Sequence, residues 1–362
     1  MHTTLTPASS GAAASSALFP SNRTRPINVA VVGCGYWGPN LIRNFSTTPG
    51  AKLMAICDLQ PERLAKFKAQ YPTVETTSDY AALLANPELD AVAIATPVST
   101  HFPLARAALA AGKHVMVEKP MTATVAEGLE LVALAEVNQR VLMVDHTFAY
   151  TNAVRKIRDM VASNQLGELL YYDSVRINLG LFQSDVNVLW DLAVHDLAIM
   201  DFALGQTPVS VSATGHAHLK GQHEDIAYLT CFFESNLIAH LHLNWLSPVK
   251  IRRTIIGGDR QMLVYDDLEP SERLKVYDRG ASIEELGAES LRRQKIDYRM
   301  GDMHAPYITP GEALQCNTAH FIDCIEQGRT PLTDGQAGLR VVRILEAATE
   351  SMKRRGEPVS VF

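Results

Sequence analysis

Short apolar runs alternate with helix-like stretches through the first 145 residues of the chain. The apolar runs lie at 28–32, 52–57, 91–95, 114–117 and 141–144. Apolar residues recur at helical spacing over 61–70, 100–111 and 124–139. Gly112 stands where the second of these helices should end. Because strands that alternate with helices are typically parallel and covered on both faces, this half of the chain predicts a doubly wound parallel sheet, an α/β fold.

The pattern changes after about residue 149. Helical spacing is predicted at 153–161, 189–204, 311–326 and 335–355, with Gly205 closing the second of these helices. Strand-like runs are predicted at 169–178, 210–216, 226–233, 238–244 and 250–256. The polar segment 280–309 predicts no clear element. Since four strands follow one another without intervening helices, we expect an α+β second domain with an open, mostly antiparallel or mixed sheet.

The chain of 362 residues is long enough for two domains. We therefore expect a flexible arm rich in Ser, Thr, Ala and Pro at 1–26, a dinucleotide-binding domain at 27–148, and a substrate-binding and oligomerisation domain at 149–362. No Lys or Arg precedes the apolar part of the arm, so an export signal is not indicated.

Charge and cysteine content narrow the class of protein. The formal net charge of −6 gives no reason to expect a nucleic acid or an anionic membrane as a partner. The five cysteines are widely spaced and form no C-x-x-C pair, which is typical of reduced thiols in the cytoplasm. No apolar run approaches the roughly 20 residues that span a bilayer. We expect a soluble cytoplasmic protein.

The run Gly-Cys-Gly-Tyr-Trp-Gly at 33–38 follows the first apolar strand and opens a helix. Gly33 permits a tight turn, Gly35 lets the backbone approach a pyrophosphate, and Gly38 lets helix and strand pack closely. The helix N-terminus then favours the negative charge of the pyrophosphate. Asp58 ends the second strand, where a carboxylate accepts two ribose hydroxyls but repels a 2′-phosphate. This pattern predicts an NAD site, with NADP less favoured.

A lysine and a helical Asp–His pair are the candidate catalytic groups. Lys119, in Glu118-Lys119-Pro120, directly follows the strand 114–117, and ligands bind beyond the carboxyl ends of parallel strands. Asp191 and His195 are four residues apart on a predicted helix, so they should share a face. A carboxylate beside an imidazole can orient it as a general base, although the pair taken alone is better explained by an ordinary packed histidine at a helix N-terminus.

Five histidines cluster in the second half of the chain: His216, His218, His223, His240 and His242. Residues two apart on a strand share a face, but no carboxylate or cysteine stands at the usual ligand spacing. We therefore expect no metal site, and interpret these histidines as part of a sheet face that meets another subunit.

The motifs occur in a family-specific order: the glycine run, Asp58, Thr96-Pro97, Glu118-Lys119-Pro120, then Asp191-x-x-x-His195. In this order the chain resembles the glucose–fructose oxidoreductase / inositol dehydrogenase (Gfo/Idh/MocA) family, over about residues 27–362. The resemblance implies an N-terminal Rossmann domain and a C-terminal domain whose open sheet builds dimers or tetramers. It also implies that Lys119, Asp191 and His195 are catalytic.

The stretch 176–183, leading into Asn187 and Trp190, is similar to the branch of the family that acts on nucleotide-linked sugars, often at C3. Asn317 departs from the pattern, since an acidic residue is common there. The expected cofactor-binding residues are Gly33, Gly35, Tyr36, Trp37, Gly38, Asp58, Thr96, Pro97, His101, Glu118 and Lys119. The expected substrate-binding residues are Arg176, Asn178, Asn187, Trp190 and His195.

The resemblance implies an NAD-dependent dehydrogenase that oxidises a secondary hydroxyl of a sugar, with a UDP-sugar of the UDP-N-acetylglucosamine type oxidised at C3 as the leading case. Three alternatives stay open: an inositol, free-sugar or glycoside dehydrogenase; an NAD-dependent glycosidase that oxidises C3 transiently; and a non-catalytic NAD-sensing regulator. The presence of Lys119, Asp191 and His195 together favours an enzyme over a sensor.

Overall fold

Two β-sheets from different halves of the chain form the framework of the protein. The computed structural model describes residues 25–180, 182–183, 185–219, 223–284 and 295–362. Most of the predicted arm, residues 1–24, lies outside the described residues, as does Leu181 in the predicted substrate stretch.

The first sheet is parallel, with six strands in the order β3-β2-β1-β4-β5-β6. Its strands are β1 (Ile27–Val32), β2 (Ala51–Cys57), β3 (Glu75–Thr77), β4 (Ala91–Ile94), β5 (His114–Glu118) and β6 (Leu142–Asp145). The helices between them are α1 (Gly38–Thr47), α2 (Pro61–Gln70), α3 (Tyr80–Ala85), α4 (Val98–Ala110) and α5 (Val125–Val137). The predicted doubly wound sheet is confirmed. The sequence pattern missed β3 and α3, because elements of three and six residues are too short to show a period.

Local chemistry sets the helix ends in this half. Proline occupies the first turn of both α1 and α2, where an intrahelical N–H bond is absent anyway. Thr124 and Glu127 form a reciprocal capping box at the start of α5. Gly112 has a φ of +72°, the left-handed conformation that ends α4 and that glycine adopts at no steric cost.

The second sheet has nine strands in the order β14-β13-β12-β11-β7-β10-β9-β8-β15. Its strands are β7 (Leu169–Leu179), β8 (Ser210–His216), β9 (Ile226–Phe232), β10 (Ile238–Asn244), β11 (Leu246–Gly258), β12 (Met262–Asp266), β13 (Leu274–Glu284), β14 (Lys295–His304) and β15 (Val359–Ser360). Strands β7 and β10 pair in parallel, and the other neighbours pair antiparallel. The predicted mixed sheet is confirmed.

Six helical elements follow the first sheet in the described part of the chain: a 3₁₀ turn (Thr147–Tyr150), α6 (Asn152–Ala162), a π-turn (Leu189–Ala193) that leads into α7 (Val194–Leu204), α8 (Ala313–Gln327) and α9 (Gly335–Lys353). Gly205 ends α7 with a φ of +63°, as predicted.

The polar segment 280–309, which predicted no element, contains the end of β13 and the whole of β14. Ile296, Tyr298 and Met300 on β14 are exposed. These apolar residues alternate with polar ones, but an edge strand need not bury a face, and the polarity of the segment as a whole concealed the strand pattern.

The last two long helices belong to the second half of the chain but pack on the first sheet. Phe321 of α8 joins the buried cluster on one face of that sheet, and Val342 of α9 joins the cluster on the other face. Between these helices, the Val144 amide donates to the Thr333 carbonyl at 2.8 Å, and the Thr333 hydroxyl donates to the Val144 carbonyl at 2.7 Å. The two sheets thus lie on either side of residue 149 in the chain, but two helices from the second half, α8 and α9, pack on the sheet of the first half.

The histidine cluster divides between two places. His240 and His242 stack on Tyr228 on the face of the second sheet opposite its buried residues. His218 lies at the end of β8, where its ring contacts His216 and bonds Asp225 at 2.7 Å. Within the described residues, no helix has the length and apolar character needed to cross a membrane.

Candidate functional site

The glycine run forms a tight loop between β1 and α1. Gly33 has a φ of +93°, and a side chain there would lie 2.5 Å from the Ala95 carbonyl oxygen. A Cβ on Gly38 would lie 1.9 Å from the Gly33 carbonyl oxygen. Gly35, by contrast, faces open space: of the described residues, only the tip of Arg63 would come within 4 Å of a Cβ there. These three environments fit a dinucleotide, because two glycines close the turn and the third leaves room for a pyrophosphate.

Asp58 lies at the carboxyl end of β2, beside this loop. Its carboxylate accepts hydrogen bonds from the backbone N–H groups of Cys34 at 2.6 Å and Gln60 at 2.8 Å. The guanidinium of Arg63 lies 3.6 Å from the same carboxylate. Asp58 is therefore fixed where an adenosine ribose would meet it, and Arg63 places a positive charge next to it.

Two aromatic residues of the loop differ in their surroundings. Tyr36 is 87% exposed. The indole N–H of Trp37 donates to Asp145 at the end of β6, at 3.1 Å. Asn317 of α8 also donates to Asp145. The loop is thereby tied to β6 and, through Asp145, to the second half of the chain.

The loops after β4 and β5 are joined by His101. Its two ring nitrogens each lie 2.9 Å from a backbone carbonyl, one of Thr96 and one of Pro120. Thr96 also contacts the glycine loop, since a Cβ on Gly33 would lie 2.8 Å from its methyl group. Pro97 precedes the first turn of α4. Buried His101 therefore links the loop after β4 to the loop after β5, and each of its ring nitrogens contacts a backbone carbonyl.

Glu118 ends β5 directly beside Asp145 on β6. Burial, followed by repulsion from Asp145, raises the pKa of Glu118 well above its ordinary value. Protonation of Glu118 is therefore favoured at the base of the site. Its Oε2 accepts the backbone N–H of Lys119 at 3.3 Å, which orients the next residue.

Lys119 contacts the second domain directly. Its Nζ donates to the Asp191 carbonyl oxygen at 3.1 Å and lies 3.5 Å from the Asp191 carboxylate. The other oxygen of that carboxylate accepts the indole N–H of Trp245 at 3.1 Å. Trp245 is fully buried between β10 and β11. A chain of polar contacts therefore runs from the second sheet through Asp191 to the end of β5.

The expected Asp191–His195 pair is corrected by this geometry. Both oxygens of Asp191 face Lys119 and Trp245, and neither accepts a hydrogen bond from His195. The reason is the π-turn Leu189–Ala193. A π-turn bonds residue i to i+5 and so changes the angular offset on which the i, i+4 expectation rests.

His195 is partly buried, and several positive charges lie near it. The edge of its imidazole contacts Phe148, with ring centroids 5.1 Å apart. Burial, and then the positive charges of Lys119, Arg176 and Arg252, lower the pKa of His195 well below its ordinary value. The ring is therefore neutral at neutral pH and can accept a proton.

Three of the expected substrate-binding residues are engaged by protein partners. The buried guanidinium of Arg176 donates to Asp196 through Nε at 2.8 Å and Nη2 at 2.9 Å. Asn187 donates to Glu224 at 3.0 Å and caps the following turn by accepting from the Trp190 amide at 3.1 Å. The polar groups of Arg176 and Asn187 thus hold parts of the second domain together, and their expected contact with substrate stays a prediction.

Trp190 donates its indole N–H to Thr349 of α9 at 2.9 Å, so it too links two helices. Asn178 is the exception among these residues. It is partly buried near the end of β7, and its amide nitrogen lies near Gly180 and Trp245. Asn178 and His195 are the expected substrate residues that remain open at the site.

The sequence analysis missed Trp245 and His146. His146 follows β6 at the same sheet edge as Lys119, and the rule that ligands bind at this edge could have found it. It is buried, and neither of its ring nitrogens has a hydrogen-bond partner among the described residues. Burial, and then the charge of Lys119, lower the pKa of His146 to about 3. Trp245 carries no local motif, so only the fold reveals its contact with Asp191.

Comparisons with known families match both halves of the chain. Residues 27–146 match the NAD-binding Rossmann fold of the Gfo/Idh/MocA oxidoreductase family, and residues 158–361 match the C-terminal alpha/beta domain of the same family. The two matches occur in the order that the motifs predict.

Individual relatives are similar over nearly their whole length. The uncharacterized oxidoreductase YdgJ of Escherichia coli is 31% identical over 91% of this chain and 97% of its own. The UDP-N-acetylglucosamine 3-dehydrogenase of Acidithiobacillus ferrooxidans is 28% identical over 87% of this chain and 94% of its own. A solved structure of UDP-N-acetylglucosamine 3-dehydrogenase from the same organism superposes with a TM-score of 0.76 at 25% identity, covering 91% of this chain and 98% of that one.

The pairing of Asp58 with Arg63 predicts how cofactor preference can be changed. In Asp58→Ser the repelling carboxylate is absent and Arg63 is free to meet a 2′-phosphate, so the ratio of NADP to NAD affinity should rise about 10- to 100-fold. Dissociation constants from NADH and NADPH fluorescence titrations measure this ratio. Adding Arg63→Ala should reverse most of the gain. If the affinity ratio is the same with and without Arg63→Ala, the proposed role of Arg63 is contradicted.

Buried neutral His146 predicts a pH dependence of stability. An unfolded histidine carries about 0.9 proton at pH 5.5, whereas folded His146, with a pKa of about 3, carries almost none. Since the unfolded state binds more protons, this residue makes the free energy of unfolding fall as pH drops below about 6.5.

The variant His146→Gln should reduce the slope of unfolding free energy against pH, near pH 5.5, by about 1.2 kcal/mol per pH unit. Urea unfolding at a series of pH values measures the slope. An unchanged slope would show that His146 is protonated in the folded protein.

Proposed function

The chain belongs to the Gfo/Idh/MocA oxidoreductase family, and from that premise we propose that it oxidises a secondary hydroxyl of a sugar, with a UDP-sugar oxidised at C3 as the leading case. The observation that carries the proposal is the meeting of Lys119, Asp191 and His195 at the carboxyl edge of the parallel sheet. The glycine loop and Asp58 reach the same edge and fit NAD.

His195 takes the proton of the substrate hydroxyl. NAD, held by the glycine loop and Asp58, would supply the hydride acceptor needed to convert the alcohol to a ketone. The lowered pKa of His195 keeps its imidazole neutral and therefore available as a base at neutral pH. Phe148 holds one edge of the ring.

Lys119 stabilises the developing alkoxide. Its ammonium group has three N–H donors, and the Asp191 carbonyl and carboxylate are its partners in the described residues. A donor remains for the substrate oxygen, where it acts on charge that grows during the reaction.

Asp191 positions the Lys119 ammonium group in this arrangement. Its carboxylate lies between the lysine ammonium and the indole N–H of Trp245, and both contacts fix its position. Trp245 is consequently a positioning residue: it acts on the reaction through Asp191.

The choice of a nucleotide-linked sugar is supported by the similarity to UDP-N-acetylglucosamine 3-dehydrogenase over most of the chain. The family resemblance also supports a homo-oligomer built on the outer face of the second sheet, where Tyr228, His240 and His242 lie.

Replacing the lysine tests the mechanism. Lys119→Ala should lower turnover at least about 100-fold, because a positioned acid–base or charge-stabilising group typically contributes that much. NAD affinity should be nearly unchanged, since the glycine loop and Asp58 hold the dinucleotide.

The measurement is NADH formation across UDP-sugars, free sugars, inositols and glycosides, with NAD binding followed separately. Full turnover in Lys119→Ala would overturn the assigned role. Sugar release from a glycoside without net NADH would favour the redox-neutral glycosidase, and partner binding without any turnover would favour the regulator.

Replacing the tryptophan tests the positioning role. Trp245→Phe keeps the ring but removes the hydrogen bond to a charged carboxylate, so kcat should fall about tenfold. The dissociation constant of NAD and the temperature of unfolding serve as controls for local damage. A normal kcat would contradict the positioning role, and a loss of stability equal in size to the loss of rate would assign Trp245 to the core alone.

A further inference from the structure

Strand register places Arg252 on the same side of the second sheet as the catalytic groups. Strands β7 and β11 are antiparallel, with Arg252 directly opposite Arg176. Residues directly opposite in an antiparallel pair project to the same face of the sheet. Arg176 reaches Asp196 on α7, the neighbour of His195 in sequence. Arg252 therefore projects toward the helix that carries the proposed base.

The guanidinium of Arg252 has few protein partners. In the part of the chain that the structure describes, its side chain donates once, through Nη1 to Asp267 at 3.3 Å. Asp267 is itself held by the hydroxyl of buried Tyr265 at 3.1 Å. The Arg252 side chain is 34% exposed. It is thus anchored on one side, with most of its five N–H donors free.

The neighbouring arginine offers a contrast. Arg253 lies opposite Asp266 and donates to it through Nε at 3.2 Å and Nη2 at 3.0 Å, on the other face of the sheet. Two Arg253 donors therefore bond one oxygen of Asp266 away from the site, whereas Arg252 presents unused donors on the site's side.

The strand is distorted next to this position. Leu246 pairs with Leu179 and Ile251 pairs with Ile177, so four residues of β11 stand opposite Asn178 alone. Bulges of this kind often occur beside active sites, where they redirect side chains. Asn178 and Arg252 consequently flank the distorted start of β11, near Trp245.

The local charge also suits an anion. Arg176 is matched by Asp196 through two short bonds, whereas Arg252 has a single contact of 3.3 Å with Asp267 among the described residues. The positive charge of Arg252 reaches His195, since it contributes to the lowered pKa of that imidazole. An anion bound at Arg252 would lie close to the reacting alcohol.

We propose that Arg252 binds an anionic group of the substrate, a carboxylate or a phosphate, and so selects charged sugars over neutral ones. Arginine donors match both groups in a bidentate geometry. This inference rests on the proposed sugar oxidation and names the class of sugar.

The test compares Arg252→Gln with Arg253→Gln as the matched control, in the full chain loaded with NAD. Calorimetric titration with UDP probes a phosphate, titration with glucuronate probes a carboxylate, and titration with glucose is the neutral reference. Arg252→Gln should weaken binding of one anion about 10- to 100-fold, the effect of losing a charge-assisted hydrogen-bonding group. Arg253→Gln should change none of the three, and the anion that depends on Arg252 identifies the group recognised.

Kinetics provide a second readout. For a charged sugar that is oxidised, Arg252→Gln should raise KM by the same factor while kcat stays within about twofold, and KM for a neutral sugar should not change. An equal effect on neutral and charged sugars would assign Arg252 a structural role and overturn the inference. The inference is also overturned when the wild type binds neither UDP nor glucuronate. It is likewise overturned when Arg252→Gln binds both anions with the same affinity as the wild type. Arg252-dependent anion binding without oxidation of any sugar would leave this inference standing and refute the proposed function.

Discussion

The packing of α8 and α9 against the parallel sheet is the constraint on which the site depends. Each half of the chain has its own sheet, but these two helices come from the second half and complete the cover of the first. The paired backbone contacts of Val144 and Thr333 fix the segment between them. Since Lys119 belongs to one half and Asp191 to the other, their contact of 3.5 Å requires this fixed arrangement.

Charge pairing within the site follows from burial. A buried charge is costly unless a partner and hydrogen bonds satisfy it, and Arg176 with Asp196 meets that requirement through two short bonds. Glu118 has a second carboxylate beside it instead of a cation dedicated to it, so its pKa is raised. Lys119, His195 and Arg252 keep donors or acceptors that no described residue uses, and they are the groups assigned to the substrate.

Much of the first domain could be predicted because its signals are local. The strand ends, the glycine loop and Asp58 occupy one short βαβ unit whose geometry follows from spacing alone. The second domain was harder. The edge strand β14 lies in a segment whose overall polarity concealed its alternation, and the π-turn before α7 broke the i, i+4 rule on which the Asp191–His195 pair was predicted. Arg176 and Asn187 have residue types suited to a sugar, but their partners lie far along the chain.

The two kinds of sheet and the glycine loop follow from the amino-acid sequence alone, since they depend on periodicity and on neighbours in the chain. Tertiary structure decided which polar groups are free. Asp191 bonds Trp245, 54 residues away, rather than His195, four residues away. Arg252 and Arg253 are adjacent, yet the pleat sends them to opposite faces with different partners. Whether a side-chain donor is free to bind a ligand depends on the groups around it, and those groups come together only when distant segments of the chain pack.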